Sequence, residues 1–323
     1  MRTMRQTSRE EKKLLIAALV TLMLIATTGL GGESDSSSTA QFLRIGVGAR
    51  AVGMGGAYTA VGDDITSLYW NPAGIAMQDG REAEFVYNSW FEDVFQAYAA
   101  YSQPVFRAGS SFGVSLNYVG IGDDIEGRDE HGNRTGDLDF ANYAFGVSYG
   151  HRFNDWIRVG GTIKYIRQEL DKYDGTAWGI DLGTQLHPYP KLKDLTVALV
   201  IQNLGTKMNL REVDEPLPRT FRIGAAYRLE LFDNNLTLAT DLEMPRDTDP
   251  KFHAGAEYSF GDILALRAGY HTGDEAEGPS LGLGYRAKPR TAIKWLDFEI
   301  GYVYVPFDDV LGDTHRFSLH FRF

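Results

Sequence analysis

From residue 80 onward the chain alternates between apolar and polar positions with a period of two. Between Lys251 and Phe260, the residues Phe252, Ala254, Ala256, Tyr258 and Phe260 fall on one side, and Lys251, His253, Gly255, Glu257 and Ser259 on the other. The same split sets Phe221, Ile223, Ala225, Tyr227 and Leu229 against Arg222, Gly224, Ala226 and Arg228, and Leu296, Phe298, Ile300, Tyr302 and Tyr304 against Asp297, Glu299 and Gly301. Successive side chains of a strand point to opposite faces, so each segment predicts a strand with one greasy and one wet face. The rule predicts strands at 82–90, 94–103, 108–120, 138–151, 156–169, 175–187, 194–204, 218–230, 234–243, 250–260, 262–272, 278–287, 294–304 and 313–323. Their number is even, and most match the ~9 to 11 residues with which a tilted strand crosses a bilayer, against ~5 to 6 in soluble proteins. Short turns such as Gly261-Asp262 alternate with longer loops, notably 122–137 and 205–216, the asymmetry expected between the two rims of an outer-membrane barrel.

A soluble sandwich would alternate too, so the ends of the strands matter. Tyr118, Tyr143, Tyr149, Tyr227, Tyr258, Tyr270, Tyr285 and Tyr302 lie near strand ends, where an amphipathic ring reaches the lipid headgroups. Phe317, Leu319, Phe321 and Phe323 put four apolar residues on one face of the last strand, which resembles the C-terminal signal by which barrel assembly machinery recognises outer-membrane proteins. The expected fold is all-β: a fourteen-stranded antiparallel transmembrane β-barrel, residues 81–323.

Two different segments precede it. Arg2, Arg5, Arg9, Lys12 and Lys13 lead into an apolar run from Leu14 to Ile25, followed by small residues at Ala26, Gly29, Gly31 and Gly32. This reads as a signal peptide over 1–32, since the run is short of the ~20 residues of a spanning helix. Residues 33–80 then form a polar leader, Ser-rich from Glu33 to Thr39, and an N-terminal hatch or plug. The hatch packs Gly46, Gly48, Gly53, Gly55 and Gly56 among alanines around Arg50, a density of small residues suited to close packing inside something else. Asp63 and Asp64 would cap a short helix through Leu68, Tyr69 and Trp70, which Asn71 and Pro72 would end.

Composition narrows the chemistry. The absence of cysteine among 323 residues removes disulfides, thiolate metal sites and a thiol nucleophile. A net charge of −11 argues against nucleic acid as partner, because phosphate binding needs a concentrated basic surface. The glycine spacings give no dinucleotide fingerprint. His151, His187, His253, His271 and His320 fall on different strands or strand edges without a GxSxG element or HExxH spacing, so no catalytic residue, metal site or cofactor is assigned. Asp63-Asp64, Asp123-Asp124 and Asp308-Asp309 read as loop charges or caps. The wet face carries Arg158, Lys164, Asp181, Arg222, Arg228, Asp241, Lys251, His253, Glu257, Arg267, Arg286, Asp297 and Glu299. Both signs are present, which favours a lumen stiffened by paired charges over an ion-selective ring.

The stretch FLRIGVGARAVGMGGAYTAVGDDITSLYWNPAGIA, Phe42 to Ala76, resembles the N-terminal signature of the PorV/PorQ family, itself similar to the FadL-like long-chain fatty acid transporters. The likeness continues through Gln202-Asn203-Leu204-Gly205, Leu217-Pro218-Arg219 and Leu266-Arg267-Ala268-Gly269-Tyr270. It implies a bacterial outer-membrane barrel around an N-terminal hatch, with the Asn71, Pro72, Ala73, Gly74 element joining hatch to wall. It also implies a non-enzymatic role in type IX protein secretion, handing cargo to surface attachment. The alternative it implies is FadL-like transport of hydrophobic small molecules. The expected partners are outer-membrane lipid and the barrel assembly machinery, with secretion-system proteins and their cargo, or a hydrophobic ligand, according to the reading.

Overall fold

The structure is a computed structural model that describes residues 38–90, 94–105, 109–122, 125–128, 134–138, 140–188, 194–210, 213–261, 263–273, 278–287, 296–306 and 313–323. The expected signal peptide and residues 33–37 of the leader lie outside these, as do Asp123-Asp124 and Asp308-Asp309.

Fourteen strands close into one antiparallel barrel. They are β1 (Glu82–Ser89), β2 (Val94–Pro104), β3 (Ser110–Ile121), β6 (Phe140–Arg152), β7 (Ile157–Leu170), β8 (Tyr173–Leu186), β9 (Leu195–Gly205), β12 (Thr220–Leu231), β13 (Asn234–Pro245), β14 (Lys251–Phe260), β15 (Leu264–His271), β16 (Pro279–Ala287), β17 (Asp297–Val305) and β18 (Thr314–Arg322). Each pairs with its neighbours in chain order, and β1 closes on β18 from Glu82↔Arg322 to Ser89↔His315. Every strand expected from the alternation is present. Two hairpins were not expected: β4 (Ile125–Arg128) with β5 (Arg134–Leu138), and β10 (Met208–Leu210) with β11 (Val213–Glu215). They stand within the two longest connections, which share one rim. The opposite rim carries the start of β1 and the end of β18. By the rule that short turns face the periplasm and long loops face outward, the rim with both strand ends is periplasmic and the hairpin rim is external.

The barrel is apolar outside and polar inside. Phe85, Tyr87, Phe145, Val147, Ile163, Trp178, Leu182, Leu281, Leu283 and Ile300 are exposed, whereas Asn88, Gln96, Thr162, Asp181, Gln185, Arg222, Asp241, Glu257 and Arg267 are buried. That reversal of the soluble pattern suits hydrocarbon outside and a filled lumen within. Phe317, Leu319 and Phe323 of the C-terminal stretch face outward, and Arg316, Ser318 and His320 between them are buried. Of the eight tyrosines expected at headgroup level, Tyr149, Tyr270 and Tyr285 are exposed, while Tyr227 is buried.

Residues 38–81 fill the lumen. A 3-10 turn, Gln41–Arg44, lies at the external rim; α1 (Ala49–Gly53) and α2 (Ser67–Trp70) follow inside, and a second 3-10 turn, Pro72–Met77, leads to β1 at the periplasmic rim. Nearly every residue from Val47 to Ala76 is buried. Two expectations need correction. Ser38 and Thr39, assigned to the polar leader, are buried with the hatch: Ser38 Oγ bonds Asp247 and Thr39 N donates to Pro216 O at 3.1 Å. Asp63 does not cap α2, because Arg50 and Arg228 hold it in ion pairs. Asp64 accepts from Thr66 N at 3.0 Å, bracing the turn before the helix rather than capping α2 itself.

A charge placed on the lipid face should be costly. Ile163→Arg, midway along β7, is expected to lower stability by ~2–4 kcal/mol if it lies near the bilayer midplane. Denaturant unfolding in lipid vesicles checks this, and a change within error would place that position at the interface.

Candidate functional site

The lumen holds irregular backbone away from water, so its peptide groups need partners from elsewhere. Polar side chains of the wall supply them. Gln96 Nε2 donates to Ile45 O at 3.1 Å, Arg316 Nη1 to Gly46 O at 2.8 Å, Gln185 Nε2 to Gly62 O at 2.6 Å and Gln202 Nε2 to Tyr69 O at 2.7 Å. Asp241 Oδ2 accepts from Tyr58 N, Thr59 N and Thr59 Oγ1 at 3.0, 2.9 and 2.6 Å. Arg222 lies over the Trp70 ring at 5.0 Å and donates to Gly56 O at 3.3 Å. His253 Nδ1 meets Gly55 O at 2.7 Å, and its Nε2 meets Glu243 at 2.9 Å.

Glycine sets how closely the two parts approach. Gly55 has φ +65°, a left-handed conformation that side chains resist, and a Cβ there would lie 2.5 Å from Tyr270 N. Gly53 faces Gly282 Cα and Arg267, Gly46 faces Trp70, Gly48 faces Thr66, Gly56 faces His253, and Gly74 packs on Gly62 and Ser67. At the wall, a Cβ on Gly160 would collide with Pro72 and Ala73, and one on Gly183 with Asn71. Asn71 is fully buried. Its Nδ2 donates to Thr59 O at 2.8 Å and to Thr184 O of β8 at 3.1 Å, and its Oδ1 accepts from Ala73 N at 3.1 Å. The one side chain thus starts the Pro72–Met77 turn and ties it to both hatch and wall.

Charges lock the hatch on its periplasmic side. Arg50 Nη1 contacts Asp63 at 2.6 Å and Asp64 at 2.8 Å, while its Nη2 and Nε grip Glu257 at 2.8 and 2.9 Å. Glu257 also accepts from Arg267 Nε at 2.7 Å; Arg267 reaches Glu299 at 2.7 Å, and Arg286 reaches Glu299 at 2.9 Å. Burial works to raise the Asp63 and Asp64 carboxyls, but Arg50 overcomes it and holds both below the ordinary carboxylate range. Arg228 assists at Asp63, and His320 with the Thr66 and Tyr58 hydroxyls assists at Asp64. Beneath this lattice a charged vestibule of about 520 Å³, lined among others by Arg228, Arg267, Arg286 and Arg322, opens at the periplasmic rim.

The external half contains an apolar cluster. Ala40, Phe42 and Leu43 pack with Val119, Ala144, Ile166, Ala177, Met208 and Leu217. Beside this cluster the β8–β9 ladder slips: Ile180 pairs with Leu204 but Leu182 with Ile201, so Gln202 and Asn203 together oppose Asp181, a β-bulge. Asn203 has φ 58°, and its N–H turns to Asp181 Oδ1 at 2.8 Å. Lys164 bonds both Asp181, at 2.8 Å, and the Asn203 amide oxygen. A small void of about 30 Å³ lies inside the bulge, lined by Leu43, Tyr69 and Ala144 and by the polar Asn117, Lys164, Asp181 and Gln202. Outside it, an apolar groove of about 500 Å³ runs over Gly161, Leu182, Leu199, Ile201 and Phe221. The Gln202-Asn203 pair stood in the sequence as part of a family motif without a role; an amide pair interrupting an alternating strand was the available signal.

Among the described residues, a Ser–His contact lies at the periplasmic rim. Ser110 Oγ lies 2.8 Å from His151 Nδ1 and accepts from Tyr149 OH at 3.1 Å, but Ser110 is 2 % exposed. Among the described residues no carboxylate bonds that imidazole, so the base lacks the group that would orient it.

Residues 33–251 match the family model described as "Type IX secretion system protein PorV". The chain belongs to the PorV family. No curated protein matches it. Among solved structures, the PorV-family barrel is similar to the Ralstonia pickettii toluene transporter TbuX, at TM-score 0.60 and 16% identity over 86% of this chain and 98% of that one. It is also similar to the Pseudomonas putida toluene transporter TodX, at TM-score 0.59 and 12% identity over 90% and 99%. The fold is therefore the fourteen-stranded barrel shared with these two structures, and family and fold together make the protein an outer-membrane β-barrel.

Removing Asn71's amide leaves buried carbonyls unpaired, at ~1–3 kcal/mol. Asn71→Ala should therefore make the hatch more open to protease while the barrel stays heat-modifiable on gels; unchanged protection would show that the seam does not depend on this side chain. Arg50→Gln strands buried carboxylates and should weaken hatch docking by ~3–5 kcal/mol, read as more frequent openings in planar bilayers. Because Asp63 and Asp64 titrate below their unfolded value of ~3.9, their contribution is whole above that pH and lost as pH falls through the depressed values. Hatch protection should accordingly hold from pH 7 to pH 5 and fail only in stronger acid; loss near pH 6 would assign the docking to other groups.

Proposed function

We propose that this barrel carries hydrophobic small molecules from the cell exterior into the outer membrane, leaving the lumen sideways. The observation that carries the reading is the apolar cluster of the external half beside the slipped β8–β9 ladder. An apolar molecule entering at the external rim meets Phe42, Leu43, Ala144 and Ile166, and further descent meets the Arg50–Glu257–Arg267 lattice. Parting that lattice to admit an apolar solute is costlier than parting the one Lys164–Asp181 pair at the β8–β9 bulge, beyond which the hydrocarbon is favourable. Among the described residues, this is the one barrel ladder whose register slips, and the external apolar groove abuts it. The internal void has room for about one water molecule, so passage requires Leu43 and Tyr69 to move. The toluene transporters with the same fold lend the reading its substrate class.

The family description supports a second reading, a partner in type IX secretion that receives exported cargo at the outer membrane. Extraction from native membranes in mild detergent, followed by mass spectrometry, separates the two: bound fatty acid or arene without a protein partner supports transport, and a stoichiometric protein partner supports secretion.

Deleting Asn203 should restore continuous β8–β9 pairing and close the side route. Uptake of a fluorescent long-chain fatty acid into outer-membrane vesicles is expected to fall several-fold while the barrel still folds. Undiminished uptake in a folded deletion variant would sink the lateral route.

A further inference from the structure

The charged vestibule at the periplasmic rim has no part in the lateral route or in the secretion reading, and its hydrogen bonding is complete for acceptors but not for donors. Five arginines and five acids line it. One acid, Asp79, is exposed. The other four are each held between two basic side chains. Asp63 lies between Arg50 and Arg228, and Glu257 between Arg50 and Arg267. Glu299 lies between Arg267 and Arg286, and Glu82 between Arg322 and His320. A guanidinium carries five N–H donors and accepts nothing. Arg267 spends Nε on Glu257 and Nη2 on Glu299, both at 2.7 Å. Its Nη1 is buried without a hydrogen-bond partner, on a side chain only 2 % exposed. A buried charged donor without an acceptor is costly, and such exceptions call for a reason. Gly284 keeps the space beside it clear, because a Cβ there would stand 2.7 Å from Arg267 Nη1.

We propose that the vestibule binds a singly charged carboxylate of a periplasmic solute, with Arg267 Nη1 as the anchoring donor. The spare donor calls for an oxygen acceptor, and its positive charge favours an anionic one. The lining charges balance, five against five, so one added negative charge is accommodated more readily than the two of a phosphate dianion. The volume of about 520 Å³ falls within the ~300–1,000 Å³ of small-molecule sites, room for an organic acid rather than a bare ion. Part of the wall belongs to the segment that fills the lumen: Arg50, Asp63 and the stretch from Met77 to Gly80. The site is therefore complete only while that segment is seated, and by linkage a bound carboxylate favours the seated state.

Trifluoroacetate, a carboxylate that stays ionised throughout the working pH range, is the probe. Titrated into the purified full chain in non-ionic detergent at fixed ionic strength, its fluorine resonance should broaden saturably. Acetate should displace it and chloride should not. Gly284→Ala crowds Nη1, and Arg267→Lys keeps the charge but loses the fork, so each should weaken binding several-fold. No saturable broadening, or undiminished binding in both folded variants, would overturn the site and leave Nη1 to water. Tighter displacement by inorganic phosphate than by acetate would overturn the carboxylate. Hydrogen exchange on the wild type needs no variant: in saturating acetate the amides of residues 61–65 and 77–81 should exchange several-fold more slowly than in chloride. Equal rates in the two salts would overturn the link between the site and the seated segment.

Discussion

In hydrocarbon an unpaired peptide N–H or C=O has no water to turn to, so a membrane sheet without closure would carry two costly edges. Pairing of β1 with β18 along the whole of β1 removes them, and most other features follow. Closure creates a lumen, the lumen must be filled or wet, and its filling is a segment with little regular structure of its own. That segment cannot satisfy its peptide groups internally, so the wall offers Gln96, Gln185, Gln202, Arg316 and Asp241 inward. The inward polarity of the strands is thus largely a set of hydrogen-bond partners for the hatch. A secondary consequence is that the lumen varies by chemistry, with an apolar cluster toward the exterior and its largest ion-pair lattice toward the periplasm.

The barrel was legible because its signal is repeated. Period-two alternation tolerates local noise, and all fourteen strands fell within a few residues of their expected bounds. Inward residues that touch the hatch are the exception to that pattern: Val303 and Val305 of β17 are buried against it, and such positions read as apolar on both faces. The dense run of small residues marked the segment that lies in the lumen and the family resemblance singled out Asn71, which bonds both Thr59 and Thr184, yet most of the segment's contacts were not legible. Asp63 and Asp64 are a case in point. Two acids before a short apolar run have the local pattern of a helix cap, and only the fold brings Arg50, Arg228 and Tyr58 to them. The bulge at Gln202-Asn203 was hidden for a related reason: one extra residue in one strand leaves the alternation on either side intact.

Glycine enters this architecture less as a source of flexibility than as a thickness. Where Asn71 and Pro72 press on the wall, Gly160 and Gly183 lie opposite them, and outside the same stretch lies the groove over Gly161 and Leu182. There the separation between hatch and lipid is little more than one backbone layer. A movement of the Pro72–Met77 turn is therefore felt directly at the lipid-facing surface.

The route of the hatch also constrains the order in which the molecule is made. Residues 38–81 precede β1 and run from the external rim, where Ser38 and Arg44 hold Asp247, to the periplasmic rim, where Arg81 exchanges backbone hydrogen bonds with Phe323. A barrel that sealed its β1–β18 seam first would have to thread the whole segment through a finished ring lined with charges. Closing that seam last would let the wall form around its own N-terminal segment with no threading step.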